Sequence, residues 1–301
     1  MSSFTVKSKD KEIYKIAGSI LEEVPDRIDQ ICERYGSDEE DVRYYDVYHI
    51  HTTSGDYVLK KAGKYELFNY ENYLKDMGFS VPMYLGGTKN GEDTWIIIER
   101  VEGEDLRNMT DDDCIAFSGI LSQIQSYYWM DTPKDLKDSD RIRYDAYVER
   151  IRKRYAFLKK DDVIKRAYKE FLDRQLDCPV TLSNGDLMQF NVMRSGDRRY
   201  IIDWGFGGIM PYSLDIARFI AHATPDRATF PFCMSDEQKS LFIDSMYEKM
   251  QHKPEYNRYL RDIKLAILNE YVEFVEADED EDGWYYEHAF ELAKKLLYSL
   301  L

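Results

Sequence analysis

Two kinds of hydrophobic periodicity divide the chain. Between about Arg27 and Ile98 apolar and polar positions alternate in short runs, the period of half-buried strands. Asp46-Val-Tyr-His-Ile-His-Thr52 is alternating and rich in β-branched and aromatic residues. Ser54-Gly55-Asp56 supplies turn chemistry and Tyr57-Val-Leu-Lys60 resumes the pattern, so a β-hairpin is expected. Residues 64–77 contain neither Gly nor Pro and place Leu67, Tyr70 and Leu74 at helical spacing, with Gly78 as the stop. Thr94-Trp-Ile-Ile-Ile98 is short and continuously apolar, the signature of a buried strand.

After Gly103 the period changes to that of helices. Thr110 followed by Asp113 is a capping-box-like start, and Ile115, Leu121 and Ile124 continue an apolar stripe. Residues 140–176, 236–250, 255–276 and 285–300 read as further helices. Val180 to Ile216 is the exception, with short strands and loops rich in Gly, Asp and Asn. The expectation is an α+β chain in two parts. An N-terminal sheet lobe over 1–102 ends in a hinge near 97–103, and a mainly helical lobe covers 103–301.

Charge narrows the partners. With 57 acidic against 41 basic residues the net charge is −16, a field that repels nucleic acid and anionic membrane and favours cationic or neutral ligands. The four cysteines, Cys32, Cys114, Cys178 and Cys233, are scattered without metal or disulfide spacing. No apolar run reaches the length of a signal or membrane segment. A reduced, cytoplasmic enzyme is expected.

Chemistry concentrates in the exceptional stretch. In Asn184-Gly-Asp-Leu-Met-Gln-Phe-Asn191 an Asp precedes an Asn by five residues. That spacing suits a phosphoryl-transfer loop, in which the Asp accepts the proton of an attacking hydroxyl and the Asn amide ligates a metal. In Tyr200-Ile-Ile-Asp-Trp-Gly205 an apolar strand delivers Asp203 at its end, where a second metal-binding carboxylate belongs. No Walker-type sequence is present, which argues against P-loop chemistry.

The stretch 182–219, LSNGDLMQFNVMRSGDRRYIIDWGFGGIMPYSLDIARF, resembles the core of the aminoglycoside phosphotransferase and choline kinase superfamily, small-molecule kinases with a bilobal protein-kinase-like fold. The resemblance implies Asp186 as catalytic base and Asn191 and Asp203 as magnesium ligands. Asp215, in its Leu-Asp-Ile-Ala setting, would brace the loop. Asn184 stands where the family usually has His.

The resemblance also implies nucleotide contacts in the first lobe. A strand Lys must touch the phosphates and pair with a helical Glu. Lys60 and Glu71 are the chosen pair, with Lys61 and Glu66 as rivals. The backbone of Glu99 and Val101 would face the purine edge. The phosphate-covering loop falls at Tyr35-Gly-Ser-Asp-Glu-Glu-Asp-Val42, which has one Gly and four consecutive acids, a departure from a Gly-rich cradle.

The acidic run Glu276 to Asp282, followed by Gly283-Trp-Tyr-Tyr286, would offer carboxylates and aromatic faces to a cationic acceptor. Glu276, Asp278 and Trp284 are the candidate contacts. The expected activity is transfer of the γ-phosphoryl of ATP or GTP, with Mg, to a hydroxyl of a small cationic, aminoglycoside-like molecule. A metabolite kinase of the choline, sugar or amino-alcohol type, a pseudokinase-like binding protein and a protein kinase remain as alternatives.

Overall fold

A computed structural model of the chain describes residues 2–35, 41–158, 161–223, 232–280 and 282–298. Its contacts form two units, Met1–Glu104 with Ser195–Phe206, and Asp105–Arg194 with Gly207–Leu301.

In the first unit the alternating stretch becomes an antiparallel sheet. Its strands are β1 (Ser2–Lys7), β2 (Arg27–Tyr35), β3 (Asp41–His51), β4 (Asp56–Lys61), β5 (Tyr84–Asn90) and β6 (Asp93–Glu99), in the order β1-β2-β3-β4-β6-β5. The expected hairpin is β3 and β4, with Tyr48 opposite Leu59 and Ile50 opposite Tyr57. One face carries Ile28, Tyr48, Ile50, Leu59, Trp95 and Ile97 into the core.

That face is covered by α1 (Lys11–Leu21), which the sequence reading left out. Asp10 caps it by accepting the Glu12 N–H, and Ile13, Ile16 and Ala17 are its buried stripe. The i, i+3, i+4 spacing of those three residues was the available signal. The run expected to be helical over 64–77 is shorter and irregular. An α turn, α2 (Glu66–Asn69), widens into a π turn over Tyr70–Leu74, closed by the Lys75 N–H on the Tyr70 carbonyl at 2.9 Å.

The second unit is helical: α3 (Asp111–Tyr127), α4 (Asp138–Phe157), α5 (Asp162–Gln175), α6 (Ser213–Ala221), α7 (Asp236–Lys249), α8 (Tyr256–Glu276) and α9 (Trp284–Tyr298). Thr110 and Asp113 form the reciprocal capping box anticipated for α3. Residues 140–176 are two helices, the second opened by the Asp161 carboxylate on the N–H groups of Val163 and Ile164. Phe117, Phe219 and Phe242 stack from α3, α6 and α7 with centroids 4.8 to 5.8 Å apart. Packed on α6, α5 and α9, α8 buries Ile263, Leu265, Ala266, Leu268 and Val272. Among the described residues no helix is long and apolar enough to cross a membrane.

Short strands place the chemistry. The chain crosses between units at β7 (Glu104–Asp105). Strand β8 (Val180–Ser183) pairs antiparallel with β11 (Gly208–Pro211). Between them run β9 (Val192–Ser195) and β10 (Arg198–Ile201). A single cut near residue 103 puts 195–206 with the helices, whereas the structure returns this segment to the sheet unit. The Ile201 N–H donates to the Ser80 carbonyl at 3.0 Å, the Asn69 amide to the Trp204 carbonyl at 2.9 Å, and the Tyr65 N–H to the Gly205 carbonyl at 3.3 Å.

Candidate active site

Lys60, on β4, projects into a pair of carboxylates in the first unit. Its ammonium lies 2.9 Å from Glu66 Oε1 and 3.0 Å from Asp203 Oδ1. Burial by itself would lower the Lys60 pKa, but the Glu66 and Asp203 charges prevail and raise it above the ordinary lysine value. The cation is therefore secure at neutral pH.

The partner is Glu66, not Glu71. Glu66 opens the helical run, is fully buried and accepts the Gly63 N–H at 3.1 Å. Glu71 is exposed and accepts the Tyr84 hydroxyl at 3.2 Å. Glu71 is thus corrected to its rival. Lys61 pairs with Asp93 at 2.8 Å on the other side of the strand.

Asp203 follows β10 with φ +55°, an unusual conformation for a residue with a Cβ. Holding it costs about 1–3 kcal/mol. The next residue, Trp204, is completely buried and donates its indole N–H to the Ile201 carbonyl at 3.2 Å, which clamps the turn. Gly205 then passes so close to Gly63 that a Cβ on Gly63 would lie 2.6 Å from the Gly205 Cα.

In the second unit β8 ends in the loop predicted to react. The buried Asp215 carboxylate, in the first turn of α6, accepts Ser183 Oγ at 2.6 Å, the Asn184 N–H at 2.8 Å and the Gly185 N–H at 3.1 Å. Burial raises the Asp215 pKa, opposed by those three donors. Asn184, buried, accepts the Asp186 N–H on its side-chain oxygen at 3.2 Å. Asn191 closes the loop from the far side, donating its amide N–H to the Asp186 carbonyl at 2.7 Å. Leu187 and Met188 fill the core beneath, while Phe190 is half-buried against Phe232.

The Asp186 side chain meets a residue that sequence reasoning passed over. Arg218 donates from Nε at 3.0 Å and from Nη2 at 2.6 Å to Asp186 Oδ1. Its Nη1 donates to Glu270 Oε2 at 2.7 Å. Glu270 also meets His222 Nε2 at 3.3 Å, and His222 Nδ1 lies 3.1 Å from the Tyr285 hydroxyl. Burial pushes the Glu270 carboxyl up, but Arg218 and His222 outweigh it and hold the pKa down at about 2. His222 is lowered by burial. No local spacing signals Arg218, because its partners Asp186 and Glu270 lie 32 and 52 positions away.

The remaining candidates are placed as follows. Glu99 ends β6, with its carboxylate accepting the Met83 N–H at 3.1 Å, and Val101 lies just beyond, half-buried. Residues 36–40 of the candidate phosphate loop lie outside the described residues. In the candidate acceptor region Glu276 is tied to Arg154 at 2.9 Å, and Asp278 is exposed with φ +60°. Trp284 stacks on His288 with centroids 3.7 Å apart.

A family model described as a phosphotransferase enzyme family matches residues 43–232, well over half of the chain. No curated protein sequence is similar enough to match. Among solved structures, a thermostable mutant of aminoglycoside phosphotransferase APH(4)-Ia, in a ternary complex with ADP and hygromycin B, superposes with a TM-score of 0.57. The two are 15% identical, over 96% of this chain and 100% of that one. Choline kinase from Cryptosporidium parvum Iowa II gives a TM-score of 0.55 at 11% identity, over 96% and 94%. A putative fructosamine-3-kinase from Haemophilus somnus 129PT gives 0.54 at 12%, over 95% and 97%. At these identities the shared property is the kinase-like fold.

Proposed function

Because the chain belongs to the phosphotransferase enzyme family, we propose that it moves the γ-phosphoryl group of ATP or GTP directly onto a hydroxyl of a small cationic molecule. The observation that carries this reading is the Asp186 loop. Its backbone is held by Asn184, Asn191 and the Asp215 brace, so the carboxylate is presented in a fixed place.

Asp186 takes the proton of the acceptor hydroxyl as the oxygen forms its bond to the γ-phosphorus. The bond from that phosphorus to the β–γ bridging oxygen breaks, and the nucleoside diphosphate leaves. Such transfer depends on positioning and charge neutralisation, without a covalent enzyme intermediate. Lys60 supplies a cation for the α- and β-phosphates, with Glu66 fixing its direction. Glu99 and Val101 contribute backbone contacts to the purine.

The donor set fits magnesium, a hard ion that takes oxygen ligands and keeps several from water and phosphate. Asp203 offers a carboxylate. Asn191, whose amide N–H is committed to the Asp186 carbonyl, would offer its amide oxygen to such an ion. Magnesium, when bound with the nucleotide, supplies neutralisation of the phosphate charge.

The net charge of −16 supports a cationic acceptor, as does the likeness to a phosphotransferase solved with hygromycin B and to a choline kinase. A second reading, a metabolite kinase for a choline-like, sugar or amino-alcohol acceptor, is favoured by the commitment of Glu276 to Arg154. That contact removes a carboxylate a polycationic antibiotic would use.

Thermal unfolding with ATP and with GTP, with and without Mg²⁺, tests nucleotide binding. The expected result is magnesium-dependent stabilisation and slow hydrolysis that Asp186→Ala abolishes. No stabilisation by either nucleotide overturns the reading. Labelled ATP and GTP offered with aminoglycosides, choline-like amines and sugars then separates the two acceptor classes.

A further inference from the structure

We infer that Arg218 is a positioning residue for phosphoryl transfer, with its guanidinium fixing the Asp186 carboxylate and Glu270 anchoring the guanidinium from behind. This rests on the proposed role of Asp186 as the base. Two N–H donors converge on Asp186 Oδ1, at 3.0 and 2.6 Å, so the position of that oxygen is set by the plane of the guanidinium. The plane is itself set at Nη1, where Glu270 accepts at 2.7 Å. A guanidinium is a rigid fork, so holding one arm holds the others.

The anchor reaches across three helices. His222 follows Arg218 on α6 by four residues and meets the same Glu270 oxygen from α8, and Tyr285 on α9 meets the other nitrogen of His222. Both Glu270 and His222 are buried, at 4% and 0% exposure, whereas Arg218 and Asp186 keep side-chain exposures of 19% and 24%. The buried end thus serves to fix the reachable end. Charge balance points the same way. One cation stands between two carboxylates, and Asp186 retains a partner through the moment at which it takes the hydroxyl proton.

The test is nucleotide hydrolysis without acceptor, using the full chain, Mg²⁺ and either ATP or GTP. A misplacement of about 1 Å in a reacting group costs on the order of 100-fold in rate. Arg218→Ala is therefore expected to lower kcat by about 100-fold, with the nucleotide KM within about twofold. Added guanidinium at millimolar concentration should restore at least about tenfold of that loss. Arg218→Lys, which keeps charge but not the fork, should fall about tenfold.

Asp186→Asn is measured in parallel. If it hydrolyses at the wild-type rate, the reading of Asp186 as base fails and this inference falls with it. If it is inactive while Arg218→Ala keeps the wild-type kcat, or loses rate only with its folded fraction and gains nothing from guanidinium, the inference alone is overturned. Should Arg218→Ala not fold, Arg218→Lys and the charge-balanced pair Arg218→Ala with Glu270→Ala decide. A wild-type kcat in either folded variant overturns it.

Discussion

Each unit of this molecule places one cation between two carboxylates, but with different side chains. In the sheet unit Lys60 stands between Glu66 and Asp203 at 2.9 and 3.0 Å. In the helical unit Arg218 stands between Asp186 and Glu270, with closest contacts of 2.6 and 2.7 Å. An ammonium is a compact charge with three rotatable donors, so it can turn towards a phosphate without rebuilding its surroundings. A guanidinium is planar and directional, and it holds a carboxylate in place. On the proposed function, the first centre exchanges partners with an arriving nucleotide. The second is suited to keeping its geometry through the reaction.

The sharpest way to break this comparison is to remove one member from each centre. Asp186→Asn should lower hydrolysis by about 1,000-fold, within the range expected for a lost general base, and leave nucleotide-induced thermal stabilisation intact. Lys60→Ala should weaken that stabilisation as well as the rate. If both variants bind nucleotide equally well, the division of labour between the centres is wrong.

A smaller effect lies in acid stability. The Glu270 carboxyl is held at about 2 against an ordinary 4.5, so the folded state binds its proton later than the unfolded state does. Its contribution is complete above the ordinary value and is lost as pH falls from 4.5 towards about 2. Denaturant titrations of wild type and Glu270→Gln across that window should converge as the pH falls. A gap that stays constant removes the charge of Glu270 as its source.

The smallest effect discriminates two neighbours on one helical run. Glu66→Gln should lower hydrolysis by about tenfold, because Lys60 loses half of its ionic setting. Glu71→Gln should stay within about twofold of wild type. Equal losses in kcat/KM for the two variants would mean that the Lys60–Glu66 pair has no part in holding the nucleotide.

The residues spaced within one local segment were legible. Asp186 and Asn191 sit five apart on a loop whose apolar members must face the core, and the Asn191 amide donates to the Asp186 carbonyl. Lys60 was legible because strand alternation and the turn at Ser54 to Asp56 place it at the end of β4. Its partner was not. The choice between Glu66 and Glu71 depends on which turn of a short, widening helix faces β4, and a π turn changes that phase in a way no α periodicity reports. In the acidic run, the contact between Arg154 of α4 and Glu276 is likewise long-range and has no local signature.

By itself the sequence determined the two periodicities, the Asp186–Asn191 loop and the Asp-Trp turn, because each rests on chemistry between residues a few positions apart. Tertiary structure alone decided the return of 195–206 to the sheet unit, the pairing of Lys60 with Glu66, and the clamp of Arg218 between Asp186 and Glu270. Apart from Lys60 and Glu66, which lie six positions apart across the turn from β4 into the helical run, these contacts join residues 32 to 143 positions apart, as with Asp186 and Arg218 or Lys60 and Asp203. At such separations helical phase and side-chain burial choose the partner, and neither is written in local spacing.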